Sequence, residues 1–260
     1  RSLARTRRSE QEDVVIGHMY QSGAEHKGLK KAVSDGARHT FHVHVRGGNV
    51  PETPRRIDDD AVDVATTAES YAADAEQFVE KYRAWRLTSL HGEAFREALP
   101  DHTDRSARVL DIGCGPGVDT AVFADDGLDA LGFDITRPFL RAANDDVPAA
   151  RFLQGDMRHL PVGDDAVDGL WCSAAFLHLP RSDAAPTLAA FARVLRPGCP
   201  LLLSTKARET HDRDAAVLSD GRQFTFWREE ALEGRIADAG FDPEQVSDEA
   251  EWHTVLAIRD

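Results

Sequence analysis

Val109-Leu-Asp-Ile-Gly-Cys-Gly-Pro-Gly117 is an apolar run that meets an acid and then opens into three alternating glycines. Ser106 to Ile112 has the apolar character of a buried parallel strand, and Val118 to Ala124 reads as the helix that follows it. Glycine at 113, 115 and 117 lets the chain turn sharply and lets a ligand approach bare backbone, because no Cβ stands in the way. Strand, turn and helix are expected to deliver unpaired N–H groups and a helix N-terminus to the carboxyl edge of a sheet, where doubly wound folds hold ligands. Asp111, just before the turn, is expected to add a fixed negative charge. Such a charge repels a pyrophosphate and suits a cationic or hydroxyl-bearing ligand.

The rest of the chain repeats this alternation. Short apolar runs predict strands at 107–112, 129–134, 151–154, 167–172, 199–205, 244–248 and 252–258. Helical periods fall at 117–125, 136–144, 183–195 and 228–239. Arg196-Pro197-Gly198 and Ala239-Gly240 stop two of these helices, with glycine available for a left-handed cap. The pattern is that of a parallel sheet covered on both faces. Before it, Tyr71, Ala75, Phe78 and Tyr82 recur at helical spacing, followed by Trp85, Leu87 and Leu90, and predict one or two helices between 61 and 98.

Composition bounds the alternatives. At 260 residues and 42% hydrophobic, the chain can bury one α/β core of about 200 residues and carry an extension. Residues 1–56 hold 11 Lys+Arg against 6 Asp+Glu and five of the eleven histidines, whereas 57–260 hold 20 against 39. The expectation is a basic, poorly ordered extension over 1–56 and a domain over 57–260, with a helical cap at 57–105 and the sheet core at 106–260. A strongly acidic, lysine-poor surface suits a high-salt setting and disfavours nucleic-acid phosphate as a partner. No apolar run approaches the roughly 20 residues of a membrane span, and the first residues show no charged-then-apolar leader. Cys114, Cys172 and Cys199 form no CxxC pair, so neither a disulfide scaffold nor a metal site is expected and a reducing cytoplasm fits.

Two further acids stand at strand ends. Asp134 closes Ala130-Leu-Gly-Phe-Asp134, where a carboxylate can accept from the vicinal hydroxyls of a ribose lying over the glycine turn, or cap the helix after it. Asp156, in Gln154-Gly-Asp-Met157, can accept from an exocyclic amine such as adenine N6, with Met157 or Ile135 on the ring face. A dinucleotide site is the nearest rival. Val118 stands where GxGxxG needs its third glycine, and Asp111 and Asp156 have no part in that fingerprint.

These segments, with Asp168-Gly-Leu-Trp-Cys-Ser-Ala-Ala-Phe-Leu-His-Leu179 and Val194-Leu-Arg-Pro-Gly198, resemble the class I S-adenosylmethionine-dependent methyltransferases, in particular their small-molecule branch. The resemblance covers about residues 65–260. It implies a doubly wound, seven-stranded, mostly parallel sheet with an antiparallel last strand, and S-adenosyl-L-methionine as cofactor. Gly113 and Gly115 would pass under the methionine part, Asp111 would help hold its ammonium, and Asp134 and Asp156 would take ribose and adenine. Ser173 or Ala174 would offer backbone near the methionyl end, and Tyr71 matches an aromatic that closes over the cofactor in this branch. His178, after the fourth strand, is the leading candidate for a base, with His211, Glu209 and His253 behind it. Phe224, Phe226 and Trp227 could roof an acceptor pocket or staple the next helix to the sheet, and 206–223 reads as a polar lid. The expected product is a methylated small molecule, made by a monomer or homodimer. The alternatives are an RNA (tRNA) methyltransferase using the basic extension, or a cofactor-binding regulatory protein without transfer.

Overall fold

In the computed structural model, which describes residues 55–83, 88–208, 213–249 and 251–260, the glycine-turn unit sits at the middle of a sheet. In chain order the elements are strand β1 (Arg55–Arg56), helices α1 (Val64–Ala73), α2 (Ala75–Arg83) and α3 (Thr88–Ala98), then β2 (Arg108–Ile112), α4 (Val118–Asp125), β3 (Asp129–Asp134), α5 (Arg137–Asp146) and β4 (Arg151–Gln154). They continue as β5 (Gly169–Cys172), α6 (Arg181–Val194), β6 (Pro200–Lys206), β7 (Ala215–Val217), β8 (Gln223–Thr225), α7 (Glu229–Asp238), β9 (Phe241–Glu249) and β10 (Trp252–Arg259).

The main sheet has seven strands in the order β4-β3-β2-β5-β6-β10-β9. Neighbours from β4 to β6 pair in parallel, and β10 runs antiparallel to both β6 and β9. The chain moves outward from β2 through β3 to β4, then returns to the other side of β2 with β5 and β6. That reversal opens a crevice beyond the carboxyl ends of β2 and β5. No described helix is long and apolar enough to cross a membrane.

Strand alternation divides the core between the two faces. Leu110, Ile112, Leu170, Cys172, Leu201 and Leu203 point to one side, against Phe176, Leu188, Phe191 and Ile236. Val109, Ala130, Trp171, Leu202 and Leu256 point to the other, where Phe95 of α3 and Phe123 of α4 cover them. Each such fully buried large side chain contributes about 1.5–3 kcal/mol. At the strand starts, far from the glycine turn, buried Asp168 accepts from Arg105 Nη1 at 2.5 Å, Arg196 Nη1 at 2.5 Å and Arg108 N at 2.8 Å. Burial works against the charge there, but these donors hold the carboxyl well below its usual range.

Three differences from the sequence expectations concern the cap. Among the described residues three helices precede the sheet, and the first two are separated at Asp74, which leaves helical geometry with φ −116° and ψ 31°. Asp63 starts α1 by accepting from Ala65 N at 3.0 Å and Thr66 Oγ1 at 2.7 Å. A second, three-stranded sheet in the order β1-β7-β8 was not foreseen. It recruits Arg55 and Arg56, which composition assigned to the extension, and pairs Ala215–Val217 with Gln223–Thr225 inside and just after the stretch read as a lid. The basic residues 1–54, Trp85, Leu87, Glu209 and His211 lie outside the described residues. The three cysteines are buried and free.

Candidate functional site

The glycine turn is shaped by its neighbour β3. Gly113, Gly115 and Gly117 all have positive φ (69°, 54° and 80°), which favours residues without Cβ. Gly113 N and Cys114 N donate to Phe133 O at 2.7 and 3.2 Å, and Gly115 N donates to Asp134 Oδ2 at 2.9 Å. The N–H groups of Gly113, Cys114 and Gly115 are therefore already satisfied by the end of β3. What the turn presents instead is an open surface: a Cβ at 115 would meet nothing within 4 Å.

Beyond the turn lies a cavity of about 150 Å³. Its walls bring together Tyr71, Asp111, Gly113, Gly115, Asp134, Ile135, Asp156, Met157, Ser173, Ala174 and His178, so the expected cofactor residues and the leading base candidate line one space. They arrive from the ends of β2, β3, β4 and β5 and from α1.

The carboxylates differ in state. Asp111 is 2% exposed and accepts from Thr120 Oγ1 at 2.5 Å. Burial first, and then the charge of Asp119, push its carboxyl well above the usual range. Burial thus makes this carboxyl harder to ionise than a free one, and a cation placed beside it would favour the ionised form. Asp134 accepts one backbone N–H on each oxygen, from Thr136 at 2.6 Å and Gly115 at 2.9 Å. Thr136, and not Asp134, occupies the N-cap of α5. A carboxylate has about four lone-pair positions, so Asp134 retains acceptor capacity beyond these two bonds. Burial raises its carboxyl, while these two N–H bonds pull the other way. Asp156 is fixed by Arg158, whose Nη2 and Nε reach Oδ2 at 2.6 and 2.9 Å. Arg158 also reaches Asp183 at 2.9 Å, and it outweighs burial to hold Asp156 below the usual carboxylate range. This guanidinium takes most of the acceptor capacity that the sequence reading reserved for an adenine amine.

Ser173 Oγ is buried on the cavity wall with no hydrogen-bond partner. Ala174 adopts φ 52° and donates its N–H to Ser204 Oγ at 3.0 Å.

Tyr71 and His178 meet across the cavity mouth. Tyr71 Oη lies 3.1 Å from His178 Nε2, and His178 Nδ1 lies 2.9 Å from the backbone oxygen of Gln223. Burial pushes the imidazole down to about 4. Tyr71 also packs edge-on against Phe78 and Phe139, extending the cap's aromatic cluster to the cavity. Of the aromatic trio, Phe224 lies 5.1 Å from the His178 ring, whereas Phe226 and Trp227 are buried in the core at 3% and 1% exposure. Trp227 packs on Phe176 and under the Arg181 guanidinium, so it staples and does not roof. His253 is buried on β10 opposite Thr205 and does not line the cavity. The sequence reading missed Arg158 and the Gln223 carbonyl. The first was legible as a base two residues after Asp156; a backbone oxygen carries no sequence signal.

Comparison with known proteins agrees with this geometry. Residues 109–198 match the family model described as "Methyltransferase domain". A malonyl-[acyl-carrier protein] O-methyltransferase of Pseudescherichia vulneris is 33% identical over 132 residues, 49% of this chain and 52% of that protein. A demethylmenaquinone methyltransferase of Beutenbergia cavernae is 30% identical over 122 residues, 47% of each chain. The matched region thus spans about half the length of these curated relatives. The crystal structure of Burkholderia thailandensis 1,6-didemethyltoxoflavin-N1-methyltransferase, with S-adenosylhomocysteine bound, shares the fold at TM-score 0.58 and 21% identity, covering 80% of this chain and 98% of that one. With its glycine turn, its strand-end acids and its seven-stranded sheet, the chain has the fold of the class I S-adenosylmethionine-dependent methyltransferases and is similar to them over residues 109–198.

Proposed function

We propose that this protein transfers a methyl group from S-adenosyl-L-methionine to a small-molecule acceptor, and that the cavity beyond β2 and β5 holds the cofactor. The observation that carries the reading is the convergence of Asp111, Asp134 and Asp156 with the open Gly115 surface on one cavity. Two features fit an adenosine bearing an amino-acid tail. A bare glycine surface admits a close-lying ligand, and the orphaned Ser173 Oγ needs a polar partner. Asp134 would take the ribose hydroxyls through its remaining lone pairs, and Gly113 and Gly115 would underlie the methionine part. Asp111 would face the ammonium. Ile135 and Met157 would pack on the adenine, with Asp156 at its edge. Tyr71 would close the cavity from the cap.

When bound, the cofactor supplies a methyl group on a positively charged sulfur. The chain's task is then to align the acceptor, exclude water and accept the acceptor's proton. His178 is the base in this reading, since its imidazole is unprotonated at neutral pH and it stands on the cavity wall. The relatives named for malonyl, demethylmenaquinone and didemethyltoxoflavin substrates support an acceptor other than nucleic acid.

Calorimetry with S-adenosylhomocysteine tests the reading. Asp134→Ala removes an acceptor worth about 1.5–3 kcal/mol per charge-assisted bond, so affinity should fall at least about tenfold. Unchanged affinity would refute the ribose role. An intact protein with no affinity for either the cofactor or its demethylated product would remove the whole reading.

A further inference from the structure

Hydrogen-bond direction at the cavity mouth is fixed by one group. The Gln223 backbone oxygen can only accept, so His178 must carry its proton on Nδ1. Neutral Nε2 is then an acceptor, and the partner 3.1 Å away, Tyr71 Oη, must donate to it. Arg222 Nη1 donates in turn to Tyr71 Oη at 3.3 Å. Every bond in the row from Arg222 through Tyr71 and His178 to Gln223 therefore points the same way.

The row is held from both sides. Gln223 N donates to Thr67 Oγ1 of α1 at 3.0 Å, and Gln223 Oε1 accepts from Asp63 N at 2.8 Å. The small sheet thus locks the carbonyl that sets the tautomer onto the helix that carries Tyr71. Charge adds a second constraint. Asp111, Asp119, Asp134 and Asp156 line the cavity, and among the described residues no lysine or arginine does. Beyond Arg222, which is engaged with Tyr71 Oη, an anionic acceptor would find no cationic side chain among the described residues of the wall to offset its desolvation.

We infer that Tyr71 and His178 form a directed proton relay for a neutral acceptor whose attacking atom bears a proton, an O–H or N–H group, and that the site is not built for carboxylate acceptors. The inference rests on the methyl-transfer reading above. As the bond between acceptor atom and methyl forms, the methyl–sulfur bond breaks and its electron pair stays on sulfur. The acceptor's proton passes to Tyr71 Oη, and Tyr71's own proton passes to His178 Nε2. One positive charge enters the step on sulfur and one leaves it on the imidazolium, so the buried site never gains a charge. The groups facing His178 are Tyr71 on α1, Gln223 and Phe224 on β8, and Arg222 and Asp220 in the turn before it. Burial keeps Nε2 free of a proton at neutral pH.

Histidine-selective ¹⁵N NMR of the ligand-free protein, with His178→Asn to assign the signal, reads the tautomer directly. The relay requires an Nδ1–H tautomer that does not titrate above about pH 5.5, and an Nε2 shift that moves in Tyr71→Phe. Labelled-methyl cofactor is then incubated with a fractionated extract. The label should survive mild alkali, as an ether or methylated amine does. Tyr71→Phe, assayed at saturating cofactor, should slow labelling by about 10²-fold or more, the usual contribution of a proton-transfer group. An Nε2–H tautomer, label released by alkali as methanol from a methyl ester, or undiminished labelling by Tyr71→Phe would overturn the relay. Failure of the intact protein to bind S-adenosylhomocysteine would instead sink the cofactor reading, on which the tautomer measurement does not depend.

Discussion

Two glycines two residues apart should separate folding from binding. Gly113 and Gly115 both have positive φ, 69° and 54°, so an alanine costs about 1–2 kcal/mol of backbone strain at either. At 113 the new Cβ would also stand 2.2 Å from Ala175 Cβ and 3.6 Å from Ala175 Cα. Ala175 leads into the short turn that carries His178, and it is itself buried at 5% exposure, so the overlap can be relieved only by moving that segment. Overpacking of this kind adds about 1–3 kcal/mol. Gly113→Ala should therefore lose about 2–5 kcal/mol, a fall in melting temperature of roughly 5–15 °C for a domain of this size. At 115 a Cβ meets nothing within 4 Å. Gly115→Ala should melt only a few degrees lower, but its methyl group occupies the surface on which the cofactor is proposed to lie. Its affinity for S-adenosylhomocysteine should fall by about tenfold or more, one steric conflict of about 1.4 kcal/mol being enough. Thermal denaturation and calorimetry on both variants decide the matter. If Gly115→Ala melts as early as Gly113→Ala, the packing argument is wrong. If it binds as tightly as the intact protein, the cofactor does not pass over this turn.

Three further outcomes follow from the charged groups. His178 titrates near 4 in the folded protein against about 6.5 unfolded, so the unfolded chain binds the extra proton between those values. Its share of stability is complete above about pH 6.5 and declines by about 3 kcal/mol as pH falls to about 4; His178→Asn should flatten that part of the urea-denaturation profile, and an unaltered slope would refute the burial argument. Asp111, raised by burial, should give up its proton when a ligand ammonium binds beside it. Affinity for S-adenosylhomocysteine should then rise with pH up to the elevated carboxyl value, and calorimetry in two buffers of different ionisation enthalpy should detect proton release that Asp111→Asn abolishes. Asp168→Asn leaves Arg105, Arg196 and Arg108 N facing a neutral amide, and should cost about 2–4 kcal/mol in denaturation with no effect on ligand affinity, since it lies at the opposite edge of the sheet.

Much of this molecule is written locally. The buried strands β2, β3, β5 and β6 are short apolar runs, so their positions could be read from the chain alone. Asp111, Asp134 and Asp156 were legible for the same reason: each follows an apolar run, and a parallel sheet brings such strand ends to one edge. Where the reading failed, the deciding contacts are remote. The sheet of β1, β7 and β8 has strands of two or three residues, too short for any periodicity, and pairs Arg55 with Val217. β3 uses up N–H groups that the glycine turn was expected to present, whereas Arg158, which changes what Asp156 can offer a ligand, is a local partner two residues away that the sequence already displayed.

The sequence by itself determined the sheet, the glycine turn and the three strand-end acids, because strand burial and glycine backbone freedom are properties of neighbouring residues. Only the tertiary structure decided the state of those acids and the direction of the proton path. Desolvation sets the first, and it depends on what covers a group: Asp111 lies on the cavity wall and against Thr120, where burial opposes its charge. The second depends on Tyr71 and His178, 107 residues apart in the chain, and on a carbonyl at Gln223 that only folding brings against the imidazole.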